Sequence, residues 1–121
     1  MEVITHIAGA YKIAELQADT VLLDNADNAL QIFVDLYYQD FERVIVHEQN
    51  IIPAFFDLSS GIAGEILQKC SNYKMHLYIV GDFEKYPGKS IRDFIFESNK
   101  GKLVNFHPTV AAALEKFNQF K

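Results

Sequence analysis

Four polar residues follow apolar runs at positions where acid–base chemistry is readily built. His47 and Glu48 come after Val44-Ile45-Val46, Asp82 comes just after Val80, and His107 follows the run Leu103 to Phe106. If those runs are strands of an open α/β sheet, the four side chains gather at carboxyl ends, where such sheets place ligands. They then form a candidate acid–base or small-molecule pocket. Zinc is not indicated: HEQNI at 47–51 opens like H-E-x-x-H but has Ile51 where the second His is required, and no pair has metal-ligand spacing. The plain alternative is that these groups close strand ends or face water.

A second stretch, FFDLSSGIAGEILQKC from Phe55 to Cys70, offers a different chemistry. It leads into an amphipathic helix through Ser59-Ser60-Gly61, and the candidate contact surface for a partner or an anion is Asp57, Ser59, Ser60, Gly61, Gly64 and Glu65. A phosphate on Ser60 would add roughly −1.5 to −2 charges beside a helix start whose unpaired N–H groups and positive dipole end attract anions. The plain alternative is that Asp57, Ser59 or Ser60 simply caps the helix. Gly61 and Gly64 are poor helix formers and suggest close approach of another backbone or group. Gly61-x-x-Gly64 and Gly81-Asp82 complete neither a dinucleotide fingerprint nor a P-loop.

The positioning elements must come from one domain spanning 1–121, a length able to bury a core without staples. Half the residues are hydrophobic and 22% are charged, the balance of a folded globular chain. The net charge of −5, with scattered Lys and Arg, argues against nucleic acid or an anionic membrane as partner. A lone cysteine, Cys70, excludes an intrachain disulfide and falls on an apolar helix stripe, as a buried small hydrophobe does. There is no signal-peptide pattern and no apolar run of membrane-spanning length, so the expected location is the bacterial cytoplasm. No cofactor or metal is implied.

Along the chain, Glu2 to Ala8 and Tyr11 to Gln17 read as a hairpin around Gly9. Asp24 or Asn25 starts a helix running to about Gln39, with Ala29, Ile32, Phe33, Leu36 and Tyr37 as its apolar face. A strand at Arg43 to Glu48 precedes the helix after Ser60, whose stripe is Ile62, Ala63, Ile66, Leu67 and Cys70. Met75 to Val80 reads as a buried strand. Ser90 with Asp93 gives an S-x-x-D capping signal for a helix carrying Ile91, Phe94 and Ile95 and ending near Gly101. Leu103 to Phe106 is the last strand, and Pro108 or Thr109 opens a helix with the stripe Val110, Ala111, Leu114 and Phe117. Phe55-Phe56 and Tyr37-Tyr38 read as half core and half surface.

The order β-β-α-β-α-β-α-β-α predicts an α/β fold: a central mixed, largely parallel sheet of about five strands with about four helices and an antiparallel edge hairpin. That order, with Ser59-Ser60-Gly61-Ile62 and Gly64 at the helix after the third strand, resembles the STAS domain of bacterial anti-sigma-factor antagonists. The resemblance implies that Ser60 occupies the position phosphorylated by a cognate kinase. Leu58 stands where the antagonist motif has Asp, with Asp57 displaced by one residue.

A closer likeness is to a family of small bacterial proteins described as a domain of unknown function with a STAS-like fold. It is carried by FFDL at 55–58, GIAGEILQK at 61–69, Asn72-Tyr73, VGDF at 80–83, Lys89-Ser90, RDFIFESNKG at 92–101 and Phe106. The resemblance to the antagonists implies a non-enzymatic regulatory module that binds a protein partner and is switched by phosphorylation at Ser60, while the family of unknown function adds to the fold and brings no activity. The competing reading is a small-molecule-binding protein or small hydrolase using His47, Glu48, Asp82 and His107. A third is a homodimer joined through its aromatic surface.

Overall fold

The computed structural model describes residues 1–118, with side chains as far as Lys116. Two strands of alternating pattern, β1 (Glu2–Ala8) and β2 (Tyr11–Gln17), pair antiparallel from Glu2↔Gln17 to Ala8↔Tyr11. Gly9 takes φ +62 in the turn between them, a left-handed conformation that glycine adopts without steric cost. The chain continues through α1 (Ala26–Tyr37), β3 (Arg43–His47), α2 (Ile62–Tyr73), β4 (His76–Val80), α3 (Lys89–Lys100), β5 (Val104–His107) and α4 (Val110–Asn118). The sheet runs β1-β2-β3-β4-β5, and β2 to β5 are parallel.

Each parallel crossover therefore steps to the next strand in the same direction. With the right-handed connection such units adopt, α1, α2 and α3 cover one face. Ala14, Leu16, Val44, Val46, Leu77, Ile79, Val104 and Phe106 pack beneath them with Phe33, Ile66 and Cys70. On the opposite face Ile13, Ile45, Tyr78 and Val80 lie under Val110, Ala113 and Leu114 of α4. Both faces of β3 and β4 are thus dry, which is why these strands read as unbroken apolar runs.

Several boundaries and caps depart from the sequence expectation. The α1 helix ends at Tyr37 rather than Gln39, and the chain reverses through Asp40 at φ +69. Strand β3 stops at His47 because Glu48 opens a single 3-10 turn over Glu48–Asn50, and β5 runs one residue further, to His107. The S-x-x-D signal does not cap α3: Gly88, at φ +107, is the N-cap and supplies no side chain. Asp93 instead pairs with Lys89 at 3.0 Å within the first turns. Asn25 caps α1, accepting from Asn28 N–H at 2.8 Å, and Thr109 caps α4, accepting from Ala112 N–H at 3.0 Å.

In the stripe of α4, Ala113 is buried and Ala111 exposed, while the side chain of Phe117 lies outside the described residues. Phe55 and Phe56 are both core, whereas Tyr37 and Tyr38 are 53% and 80% exposed. Among the described residues no helix is long and apolar enough to cross a membrane.

Candidate functional site

The loop before α2 is built from two further 3-10 turns, Pro53–Phe56 and Leu58–Ser60. Asp57 caps the second of these and not α2: its carboxylate accepts from Ser59 N–H at 3.2 Å and from Ser59 Oγ–H at 2.6 Å. Ser60 is exposed, donates its hydroxyl to Ala54 O at 2.6 Å and accepts from Ile62 N–H at 3.2 Å. The N-cap of α2 is Gly61, at φ +80, and it offers no side-chain oxygen. The first turn of α2 therefore keeps unpaired N–H groups beside an exposed serine. Asp57 and Ser59 also face Lys89 and Ser90 across a cleft of about 410 Å³ that includes the uncapped start of α3.

No group approaches Gly61 or Gly64: a Cβ on either would meet nothing within 4 Å. The expected close approach is at Gly81 instead, where a Cβ would fall 2.5 Å from Glu48 Cβ.

The four strand-end residues divide between two clefts that share Gly81. His47 and Glu48 line one of about 430 Å³ with Lys85 and Tyr86. Asp82 and His107 line the other, about 790 Å³, with Phe83, Phe96 and Phe106. Glu48 is almost fully engaged: its carboxylate accepts from Tyr86 Oη–H and from Asp82 N–H at 3.3 Å, and pairs with Lys85 Nζ at 2.8 Å. It fastens the 82–88 loop to the end of β3, while the Tyr86 ring stacks on Phe56 at 4.4 Å. Burial, then the bond to Glu48, pushes the Tyr86 hydroxyl well above its ordinary range. His107 stacks on Tyr78 at 5.9 Å, and its buried Nε2 has no hydrogen-bond partner among the described residues. Burial, and then the charge of Lys116, lowers its pKa.

One cluster escaped the sequence reading. Glu15, only 6% exposed, receives His6 Nε2 on Oε1 at 2.7 Å and His47 Nε2 on Oε2 at 2.8 Å, with Gln17 Nε2 at 3.4 Å. The pairing register explains the meeting: His6 is opposite Ile13, and Glu15, two residues on, therefore shares its face of the sheet. Burial raises the Glu15 pKa, but the bonds from His47, His6 and Gln17 outweigh it and hold the carboxyl below its ordinary value. The available signal was parity, since Glu15 sits on the same face of β2 as the fully buried Ile13.

Both imidazoles point Nε2 at different oxygens of one carboxylate, so the cluster orients a histidine in the first cleft rather than ligating an ion. Among the described residues no group of three or more His, Cys, Asp or Glu side chains could hold a metal. Cys70 is fully buried, and desolvation pushes its thiol up to about 12.

No curated protein and no solved structure matches the chain. The profile of a domain of unknown function, DUF4180, matches residues 8–117, which reaches from the end of β1 into α4 and takes in the 57–65 loop and all four strand-end residues. The chain belongs to the DUF4180 family.

Proposed function

We propose that this protein is a non-enzymatic regulatory module with a STAS-like fold, binding a protein partner through Asp57, Ser59, Ser60, Gly61, Gly64 and Glu65. Phosphorylation of Ser60 switches that contact. The observation that carries the reading is an exposed Ser60 at the start of a 12-residue helix whose N-cap, Gly61, has no side chain, so that the one side-chain oxygen at this end is the Ser60 hydroxyl on Ile62 N–H. A phosphoryl group there has unpaired N–H donors and the positive end of the helix dipole within reach, and it displaces nothing buried. The consecutive strand order, with three helices on one face, supports the STAS-like part of the proposal.

The test is capture of partners from the native host with wild-type, Ser60→Ala and Ser60→Asp protein, together with peptide mass spectrometry for phosphate on Ser60. Retained binding by Ser60→Ala and weakened binding by Ser60→Asp supports the switch. Equal binding by both removes it.

A second reading, a small-molecule-binding protein or small hydrolase, is favoured by the His47–Glu15 contact. A carboxylate that fixes a ring lining an open cleft is the arrangement of a positioned general base. It requires His47→Gln to abolish any ester or phosphoester hydrolysis the protein shows; activity unchanged by that substitution discards it.

A further inference from the structure

The outer edge of the sheet carries few of the devices that ordinarily stop edge strands from pairing. Among the described residues strand β1 has no neighbour on its outer side, and its seven pairs with β2 run without a bulge. It contains no proline and no lysine. Natural edges are usually shortened, twisted away by a bulge, or guarded by Lys or Pro, because a row of unpaired backbone N–H and C=O groups is a template for another strand. Here the edge also presents apolar side chains: Val3 is 36% and Ile7 71% exposed, with Met1 beside them at 66%. These odd-numbered residues lie on one face, opposite Leu16 and Lys12 of β2, beyond the reach of the helices that cover Leu16.

We infer that β1 is a dimerisation strand, pairing antiparallel with β1 of a second copy of this chain to make one continuous ten-stranded sheet, twice the five strands of each copy. A second copy is the occupant because the edge is self-complementary. A twofold axis perpendicular to the sheet keeps each face with itself, so odd residues must oppose odd residues and even oppose even. Centring the axis on Ile4 sets Met1 against Ile7 of the other copy and Val3 against Thr5, joining the two exposed apolar patches. It also sets the Glu2 carboxylate against the His6 imidazole of the other copy, twice by symmetry. The register centred on Thr5 instead sets Val3 against Ile7 but opposes Glu2 to Ala8 and His6 to Ile4, leaving the Glu2 carboxylate without a polar group across from it, while His6 keeps its bond to Glu15 in either register. The opposition of Glu2 to His6, which the Thr5-centred register lacks, therefore selects Ile4. The surface shares no residue with the loop from Asp57 to Glu65, so the dimer stands or falls independently of the proposed switch.

The test is sedimentation equilibrium of the full chain over a dilution series, with disulfide trapping to read the register. Wild-type protein gives twice 13.8 kDa, falling to monomer on dilution. Val3→Lys with Ile7→Lys, both at exposed positions, leaves a folded monomer by circular dichroism. Directly opposed antiparallel residues have Cβ atoms about 4.5–5.5 Å apart, so Ile4→Cys cross-links to itself under mild oxidation while Thr5→Cys does not. Cys70 is buried and does not compete. A monomer at every concentration, a dimer untouched by the double lysine variant, or trapping through Thr5→Cys and not Ile4→Cys would each overturn the inference.

Discussion

Gly81 lies so close to Glu48 that a methyl group added at Gly81 would sit 2.6 Å from Glu48 Oε1. A glycine at the end of β4 is what lets the Glu48 side chain cross it and reach Lys85, Tyr86 and the Asp82 N–H. The two clefts at the strand ends are separated by this contact.

Gly81→Ala is expected to destabilise the protein by about 1–3 kcal/mol, the scale of overpacking, as measured by urea unfolding. Glu48→Gly alone loses the anchor of the 82–88 loop. It also removes the Glu48 Cβ that a Gly81 side chain would meet at 2.5 Å, so in the Gly81→Ala, Glu48→Gly double variant the clash is gone and the two losses should fall short of additive by at least ~0.5 kcal/mol. Strict additivity would show that the contact is not responsible.

Gly61 and Gly64 should respond to alanine with opposite signs. Gly61 holds φ +80, where an L side chain costs about 1–2 kcal/mol. Gly64 is helical with open space where a Cβ would go, so Gly64→Ala should stabilise by roughly 0.5–1 kcal/mol. Thermal melts of the two variants decide the matter, and a shift of the same sign in both refutes the assignment.

Glu15→Gln tests the buried carboxylate. The folded-state pKa of Glu15 lies below its ordinary value of 4.5, so its charged form stabilises the fold above that value, and the contribution disappears as pH falls through the depressed pKa. At neutral pH the variant should lose about 1–3 kcal/mol, the worth of hydrogen bonds to a charged group. The gap between wild type and variant should narrow as the pH drops below 4.5. A constant gap across an acid titration of stability would mean the loss is one of packing alone.

Cys70 should be inert in the native protein. It is fully buried with its thiol raised to about 12, so iodoacetamide at mildly alkaline pH should label it only in denaturant. Labelling of the native chain at the rate of a free thiol would contradict its burial.

The elements were legible in the sequence because each has one dry face with its own period. Ala29, Phe33 and Leu36 recur at helical spacing, while Val44 to Val46 and Leu77 to Val80 are apolar throughout because helices cover both sides. The caps were less legible. Ser90 and Asp93 form an S-x-x-D pattern, yet the helix begins one residue earlier, after Gly88, because left-handed backbone and a local Lys89–Asp93 pair already define that start. The glycines at 61 and 64 suggested an approaching backbone, and only coordinates reveal that the approach is at Gly81. The His6–Glu15–His47 cluster joins residues separated by 9 and 32 positions across three strands, a conjunction set by sheet register and invisible to any local motif. The strand-end residues were placed at the correct edge, but the side chain of Glu48 partitions that edge into two compartments.

The way the sheet is covered has a consequence for synthesis. The face under α1, α2 and α3 is sealed piece by piece, because each helix emerges directly after the strand it covers. The other face waits. Ile13, Ile45, Tyr78 and Val80 remain open to water until α4 has left the ribosome, although all three strands concerned were made earlier. A chain interrupted near Pro108 is therefore a nearly complete sheet with one oily side, the kind of species that chaperones hold and that aggregates when they do not. Translation of the closing helix is what makes the molecule safe to release.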